Sequence, residues 1–294
     1  MIKRIFILAA VFFVLYNLCL IAMPLRDRFV VQSQAQENIA KAQEFLLDTH
    51  TVPFVVVGSS LGARLTEERL GPKFCNLAFS GGSAFTGLEL IERRPGATKI
   101  VFIETNMLMR GKDEGVLANA FRPVFSNLRN YLPGLRERWQ PANFVAGKVG
   151  EKIVAGALSP LTRMHSQTQK NNSPDNQDVL FQRLLADEHG IYANAPDQIK
   201  LGAQIDKLKE RVKGFEARGI RCVFVEMPID ASLIDLPLAS TVRSALFEGF
   251  PPRSYRWVLP QAGRKYITTD GSHLTGEEAV DFGNRLRTCS EEHL

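Results

Sequence analysis

The hydrophobic pattern of the chain begins with a long apolar run. Residues Ile5 to Met23 carry no charge, and the basic residues Lys3 and Arg4 precede them. A helix of this length can cross a hydrocarbon core of about 30 Å at a rise of about 1.5 Å per residue. A signal peptide usually has a shorter apolar core and a small-residue cleavage motif, so the pattern favours an uncleaved membrane anchor. A cleaved signal peptide is the alternative.

The pattern changes beyond this run. Residues 1–28 form the predicted anchor, and residues 29–52 are polar with scattered alanine and leucine, which is typical of a helical stalk. Short apolar, β-branched runs follow, as expected for strands buried on both faces of a parallel sheet. The predicted strands are Phe54–Val57, Phe74–Ala78, Lys99–Glu104, Arg221–Glu226 and a very short fifth, Tyr266–Ile267.

Helix-like segments alternate with the predicted strands. They are Leu61–Leu70, Ala84–Arg93, Ile199–Arg218 and Thr275–Arg287. The alternation predicts an α/β fold with a mostly parallel sheet and helices on both faces, in a domain that spans residues 53–294.

Residues 107–198 interrupt this alternation. They contain two helical pieces, Leu117–Leu135 and Phe144–Leu158, and a polar tract, Gln167–Gln177, which we predict to be an exposed loop. We interpret this stretch as an insertion over the carboxyl edge of the sheet, and one form that it could take is a lid over a binding site.

Composition narrows the classes of function. The net charge is only +5, and no cluster of basic residues with interleaved aromatics is present, so no nucleic-acid partner is expected. The spacing of the four cysteines matches neither a zinc site nor a disulfide framework. No metal and no organic cofactor is predicted.

Two polar motifs have the residue types that nucleophilic catalysis needs. Ser59 and Ser60 follow Gly58, directly after the first predicted strand, and Asp270 precedes His273 just before the last helix. A hydroxyl nucleophile needs a base within hydrogen-bond reach, and that base needs an orienting acceptor. Taken alone, each motif has a simpler interpretation, namely a serine-rich turn and an Asx-turn with a surface histidine.

Two further motifs could supply hydrogen-bond donors. Gly81 lies in a glycine pair after the second strand, where backbone N–H groups can approach a developing negative charge. The Asn106 amide follows the third strand and could donate to the same atom. A flexible turn and a helix cap are the simpler interpretations. Ligands bind at the carboxyl ends of the strands of an open parallel sheet, where all four motifs are predicted to lie.

In this order the motifs resemble those of the SGNH (GDSL-like) superfamily of hydrolases and acyltransferases, over residues 54–289 apart from the insertion. The resemblance implies a three-layer α/β/α sandwich with a flavodoxin-like sheet. It also implies Ser60 as nucleophile, His273 as base and Asp270 as its partner. The oxyanion hole would combine the N–H groups of Ser60 and Gly81 with the Asn106 amide.

The chain departs from the usual pattern at two positions. Ser59 stands where the hydrolases usually carry aspartate, and Glu104 and Thr105 precede Asn106 in place of the commoner glycine-led form. The Gly-Ser-Ser form resembles the membrane-anchored branch that acylates cell-surface polymers. We expect Ser59, Glu104 and Met227 to line the pocket, and Ser59 is an alternative nucleophile.

Gly58 to Gly62 also satisfies the G-x-S-x-G pattern of the α/β-hydrolase elbow. We reject that fold because this serine follows the first predicted strand and because Asp270 and His273 are only three residues apart. Arg110 and Lys112, just past Asn106, could meet an anionic substrate, with a solvated face as the simpler interpretation. Four histidines have no neighbouring motif that would pair them with a nucleophile: His50, His165, His189 and His293.

The resemblance implies serine-dependent acyl transfer outside the cytoplasm, through a Ser60 acyl-enzyme that O-acetylates a cell-surface or exported polysaccharide. The expected partners are a polysaccharide acceptor, an acyl donor such as a multi-span membrane acyltransferase, and the membrane that holds the N-terminal helix. The expected location is a bacterial inner membrane, with the catalytic domain in the periplasm. A carbohydrate esterase is the first alternative, and a non-catalytic polysaccharide-binding module of an export complex is the second.

Overall fold

The computed structural model describes residues 2–22, 29–48, 52–94, 96, 98–156 and 174–291. These residues form eleven α-helices and one sheet of five parallel strands. The strands are β1 (Phe54–Gly58), β2 (Phe74–Ala78), β3 (Ile100–Glu104), β4 (Arg221–Val225) and β5 (Arg256–Val258). The helices are α1 (Ile2–Ala22), α2 (Gln34–Leu47), α3 (Glu67–Leu70), α4 (Ala84–Arg93), α5 (Glu114–Ala120), α6 (Phe125–Tyr131), α7 (Pro141–Gly156), α8 (Pro174–Tyr192), α9 (Gln198–Ala217), α10 (Pro237–Gly249) and α11 (Gly276–Glu291).

Contacts divide the chain into two compact units. The first combines Met1–Asp48 with Gly115–Ser173, and the second combines Thr49–Glu114 with Pro174–Leu294. The sheet and all of the predicted site residues belong to the second unit.

In the first unit, the predicted apolar span is confirmed as helix α1. Among the described residues it is the one helix long and apolar enough to cross a membrane, although a signal sequence has the same properties. Two polar residues near the end of α1 form hydrogen bonds with turns later in the unit: the Tyr16 hydroxyl donates to the Trp139 carbonyl, and the Asn17 amide oxygen accepts from the Gly134 N–H.

The predicted stalk contains helix α2, whose N-terminus is capped by the Ser33 hydroxyl. This helix is not solvated on all sides. Gln43 is buried, and its amide donates to Asn119 and accepts from the N–H of Glu137. Polar residues of this segment, such as Gln43, therefore form hydrogen bonds within the unit.

The predicted helical piece Leu117–Leu135 is not continuous. It divides into the end of α5, the helix α6 and the 3-10 turn Pro133–Leu135. The break precedes α6, where Pro123 has no N–H to continue a helix and Val124 has a positive φ of 67°. The second piece, Phe144–Leu158, falls within α7 as far as Gly156, and its last two residues lie outside the described residues.

In the second unit, the sheet has the order β2-β1-β3-β4-β5. This is the 2-1-3-4-5 order of doubly wound sheets such as that of flavodoxin. The α/β architecture with a parallel sheet is thereby confirmed. The chain switches direction between β1 and β3, and the crevice beyond their carboxyl ends is where ligands bind in such sheets. Gly58 at the end of β1 leads directly into Ser59 and Ser60.

Three predicted elements of this unit differ in the structure. The fifth strand is Arg256–Val258, not Tyr266–Ile267, and Trp257 stacks on Phe224 of β4 with ring centroids 4.9 Å apart. The predicted helix Leu61–Leu70 divides into a 3-10 turn and α3. The end of the predicted loop, residues 174–177, lies in α8, and the rest of that loop lies outside the described residues.

Asn76 explains why the predicted helix after β1 is interrupted. Its amide donates to the carbonyls of Gly62 and Leu65, at 2.9 and 2.5 Å. Those carbonyls are therefore bound by a side chain from β2 instead of by the N–H groups of a continuing helix.

Gly87 of α4 lies so close to β1 that a larger residue would not fit. An added Cβ would lie 2.5 Å from Cγ1 of Val57 and 2.9 Å from the Leu77 carbonyl. We expect Gly87→Ala to destabilise the fold by about 1–3 kcal/mol, because the core would be overpacked. The measurement is the thermal unfolding midpoint of the full chain in detergent.

The matched control is Gly202→Ala in α9, where an added Cβ meets nothing within 4 Å. Replacing this exposed helical glycine should stabilise the helix by about 1 kcal/mol. A lower midpoint for the Gly202 variant, or an unchanged one for the Gly87 variant, would contradict this account of the packing.

Candidate active site

A hydrogen-bonded chain of three side chains lies at the carboxyl end of the sheet. The Nε2 atom of His273 is 2.9 Å from the Ser60 hydroxyl oxygen, and its Nδ1 atom is 2.7 Å from Oδ2 of Asp270. An ionised Asp270 accepts a hydrogen bond from the N–H at Nδ1, which leaves Nε2 as an acceptor for the serine hydroxyl. The arrangement is the one that a nucleophilic serine requires.

Asp270 is held in its ionised form by its surroundings. Burial by itself would raise the pKa of this carboxyl. The side chain and N–H of His273, together with the N–H of Ser272, donate hydrogen bonds that lower the pKa well below its ordinary value. The carboxylate is therefore available to orient the imidazole over the whole neutral range.

Backbone contacts fix the loop that carries Asp270 and His273. Gly271 has a positive φ of 98°, which a glycine adopts without strain. Its N–H donates to the Thr268 hydroxyl, and its carbonyl accepts from the N–H of Asp230. A β-bridge between Thr268 and Leu274 closes the loop.

The turn after β1 separates its two serines. Ser59 is fully buried, and its hydroxyl accepts from the N–H of Leu61 at 3.2 Å. Ser60 is only partly buried and faces His273. Of the two candidate nucleophiles, the structure brings Ser60 to the imidazole and turns Ser59 inward.

Glu104 is expected to line the pocket but is 2% exposed and lies beneath the turn. Its Oε2 accepts from the N–H of Ser59 at 2.5 Å, and its Oε1 accepts from the N–H of Met107 at 3.3 Å. A Cβ at Gly58 would lie 2.5 Å from Oε2, so only glycine leaves room for this carboxyl. Glu104 therefore supports the turn from below.

Met227 is also expected to line the pocket, but its side chain is 1% exposed and packs in the core. Its backbone instead fixes Asn106. The Asn106 amide donates to the Met227 carbonyl at 2.9 Å and accepts from the Met227 N–H at 2.7 Å. One hydrogen of the amide remains for another acceptor.

The two backbone donors predicted for an oxyanion hole are the N–H groups of Ser60 and Gly81. Within the part of the chain that the structure describes, neither has a hydrogen-bond partner. Gly81 has a positive φ of 78° in the turn after β2. Both groups are therefore free to donate to a ligand.

Helix α8 contributes two residues that the sequence analysis does not identify. Glu188 interacts electrostatically with Asp270 and His273, and Tyr192 does so with Glu188 and Asp270. The two residues are four apart and so share one face of the helix. That spacing is visible in the sequence, but nothing there shows that this face meets the site.

The two basic residues after Asn106 have different surroundings. Arg110 is exposed and close enough to Glu188 and Tyr192 to act on both electrostatically. Lys112 instead forms ion pairs with Glu89 and Glu114, at 3.8 and 3.4 Å. Of the two, Arg110 is the one that lies near the site.

The described residues contain no group of three or more His, Cys, Asp or Glu side chains placed to hold a metal ion. The four cysteines all lie in the described ranges, and none of them forms a disulfide bond.

No family model and no curated protein matches the chain. A solved structure described as "The structure of a putative platelet activating factor from Streptococcus pneumonia" matches with 12% identity and a TM-score of 0.43. The match covers 86% of this chain and 92% of that one. A likeness at this level carries no conclusion about either chain's chemistry.

The burial of Glu104 predicts a pH dependence of stability. Burial raises its pKa above the usual 4.5, against the opposing hydrogen bonds from Ser59, Met107 and Gly62. The folded state therefore holds the proton more tightly than the unfolded chain. The protonated carboxyl therefore stabilises the folded protein fully below pH 4.5, and this stabilisation is lost as the pH rises through the folded-state pKa.

Glu104→Gln removes this titration and keeps a neutral side chain of similar size. We expect the stability of the natural protein, relative to this variant, to fall as the pH rises from about 4.5 towards neutrality. Unfolding midpoints of both proteins at a series of pH values measure the difference. A difference that stays constant with pH would contradict the burial of a titrating carboxyl here.

Proposed function

We propose that the chain is an SGNH-type acyltransferase, in which the parallel sheet and its helices form the three-layer α/β/α sandwich of that superfamily. The strand order and the position of the four motifs at the carboxyl ends of strands or before α11 support this assignment. The hydrogen-bonded chain from Ser60 through His273 to Asp270 is the observation that carries it.

In the first half-reaction, the Ser60 oxygen attacks the carbonyl carbon of an ester. His273 takes the hydroxyl proton on Nε2, and Asp270 stabilises the imidazolium that results. The carbonyl oxygen becomes negative and accepts from the N–H groups of Ser60 and Gly81 and from the Asn106 amide. The bond to the leaving alcohol breaks, and His273 returns the proton to it, which leaves an acyl group on Ser60.

The second half-reaction reverses these steps with a new alcohol. A sugar hydroxyl gives its proton to His273 and attacks the acyl carbon. The bond to Ser60 then breaks, and His273 returns the proton to the serine oxygen. The acyl group, which we propose to be acetyl, ends on a polysaccharide. Water in place of the sugar would make the same site an esterase.

The apolar helix α1 supports a location at a membrane. We propose that it is an uncleaved anchor in a bacterial inner membrane, with Lys3 and Arg4 on the cytoplasmic side and the site in the periplasm. An extracytoplasmic enzyme has no access to cytoplasmic acyl donors, so a membrane-embedded acyltransferase that passes the acetyl group across would be its partner.

The proposed nucleophile can be tested directly. The natural protein should release a burst of nitrophenol from p-nitrophenyl acetate and carry the acetyl group on Ser60, as measured by peptide mass spectrometry. Ser60→Ala should abolish both signals, and Asp270→Asn should slow the burst by about 10³- to 10⁴-fold, because the imidazole loses its orienting carboxylate.

Ser59→Ala is the matched control, since the neighbouring hydroxyl points inward. It should still be acetylated on Ser60. An unchanged burst in Ser60→Ala, or loss of the burst in Ser59→Ala alone, would show that the nucleophile is assigned wrongly.

The proposed anchor predicts the mass of the membrane-bound protein. An uncleaved chain should sediment with membranes and keep its full mass of 32.8 kDa. Loss of about 2–3 kDa, the mass of a signal peptide of 15–30 residues, would show cleavage instead. Intact mass spectrometry of the detergent-solubilised protein makes the measurement.

A further inference from the structure

Two turns of the first unit pack against the last part of helix α1. They are the 3-10 turns that follow α6, Pro133–Leu135 and Glu137–Trp139. An added Cβ at Gly134, in the first of these turns, would lie 3.0 Å from the ring of Tyr16. The Tyr16 hydroxyl donates to the carbonyl of Trp139, in the second. Both turns are therefore held at the level of Tyr16 along the helix.

The exposed part of α1 is too short to cross a membrane by itself. Residues 2–15 are exposed, and burial in the unit begins with Tyr16 and Asn17. At a rise of about 1.5 Å per residue the exposed part is about 21 Å long, against about 30 Å of hydrocarbon core. Lys3 and Arg4 hold the other end at the cytoplasmic side. An anchored chain therefore places Tyr16 and the two turns in the periplasmic leaflet, about 9 Å below its hydrocarbon boundary.

The helix that precedes these turns, α6, carries an exposed apolar stripe. Val124 at its N-terminal cap, Leu128 and Tyr131 are 66%, 39% and 77% exposed. Their spacing of four and three residues places them on one face of the helix. Arg129, on another face, is buried. A contiguous apolar stripe on a protein surface marks an interaction site.

Arg129 fixes this stripe to the turns that contact α1. Its guanidinium donates to the carbonyl of Leu135 at 3.1 Å, and its own carbonyl accepts from the Arg136 side chain at 2.9 Å. Tyr131 is three residues before Gly134, so their Cα atoms lie within about 11 Å of each other. The stripe therefore lies close to α1, near the depth at which the turns meet the bilayer.

The residue types around the stripe suit the surface of a bilayer. Tyr16, Tyr131 and Trp139 are aromatic residues with one polar atom each, the type enriched where hydrocarbon meets headgroups. Residues 115–136 include three arginines and no acidic residue, which favours anionic headgroups. Both features favour lipid as the material that covers the stripe.

We propose that the stripe of Val124, Leu128 and Tyr131 is a lipid-binding surface, embedded in the periplasmic leaflet beside α1. An amphipathic helix lies in the interface with its apolar face about 5–10 Å deep, which matches the depth of about 9 Å given by α1. The first unit is then held to the membrane at two places, α1 and α6. This inference rests on the proposed anchor and is independent of the proposed acyl chemistry.

A membrane protein is the other kind of partner that could cover a surface at this depth. A chain reconstituted alone in pure lipid distinguishes the two. Lipid contacts the stripe in such vesicles, whereas a stripe that is built for a protein partner stays out of the bilayer.

The test places a fluorescent reporter on the stripe of the full chain. Both natural tryptophans are replaced by phenylalanine, and Tyr131→Trp adds a single reporter at an exposed position. The matched control is Asn130→Trp in the same background, because Asn130 is exposed and lies about 100° around the helix from Tyr131. The vesicles contain phosphatidylglycerol and a phosphatidylcholine with brominated acyl chains, whose bromine quenches nearby tryptophan.

Quenching of Tyr131→Trp should be at least about twofold greater than quenching of Asn130→Trp, since an interfacial helix buries its apolar face and keeps its polar face in water. Equal quenching of the two reporters would overturn the proposal. So would the absence of quenching in vesicles with which the chain co-floats, and that result would favour a protein partner instead.

A second measurement needs no added tryptophan, so it does not depend on how the reporters fold. Trp257→Phe leaves Trp139 as the one tryptophan of the chain. Bromine near the headgroups should quench Trp139 more strongly than bromine near the bilayer centre, because Tyr16, to which it is bonded, lies nearer to the headgroups. An unquenched Trp139 would show that the turns lie outside the bilayer, against the proposal.

Failure of the proposed anchor looks different. The chain would not co-float with the vesicles, and its intact mass would be lower by that of a signal peptide. Failure of the proposed acyl chemistry is separate again, since the absence of an acetyl group on Ser60 would leave both co-flotation and quenching unchanged.

Discussion

The hydrogen bond between Ser60 and His273 depends on the apolar core beneath both residues. They are 213 residues apart in the chain, yet the two atoms are 2.9 Å apart. Leu65, which follows the serine turn, and Leu274, which follows the histidine, enter the same buried cluster, together with Phe282 of α11. Close packing of these side chains sets the separation of the two loops. A hydrogen bond tolerates an error of only about a few tenths of an ångström in that separation.

Three carboxyl groups near the site differ because their surroundings differ. Glu104 is buried, so its pKa rises, and it holds the serine turn from below. Asp270 accepts several hydrogen bonds, so its pKa falls, and it orients the imidazole. Glu188 is half-buried beside Asp270. Burial and the charge of Asp270 raise its pKa, and the nearby His273 opposes part of that rise. Environments that shift the pKa values of carboxyl groups in different directions give chemically identical groups different roles.

Local patterns predicted the elements well where the chain follows its own periodicity. The strands β1 to β4 and the helices α4 and α9 match their predicted positions to within about two residues, the usual uncertainty of element ends. The predicted elements were wrong where a residue far along the chain determines the local structure. Asn76 captures the carbonyls that would continue the helix after β1, and Trp257 stacks on Phe224 to form β5 where no apolar run signals a strand.

The sequence by itself determined the alternation of strands and helices, the apolar N-terminal helix, and the residue types available at the strand ends. These follow from local periodicity and from the chemistry of single side chains. Only the tertiary structure decided that Ser60 and not Ser59 faces the imidazole, that Glu104 is buried beneath the turn, and that α8 brings Glu188 to the site. Each of these depends on contacts between residues far apart in the chain, and local periodicity does not predict such contacts.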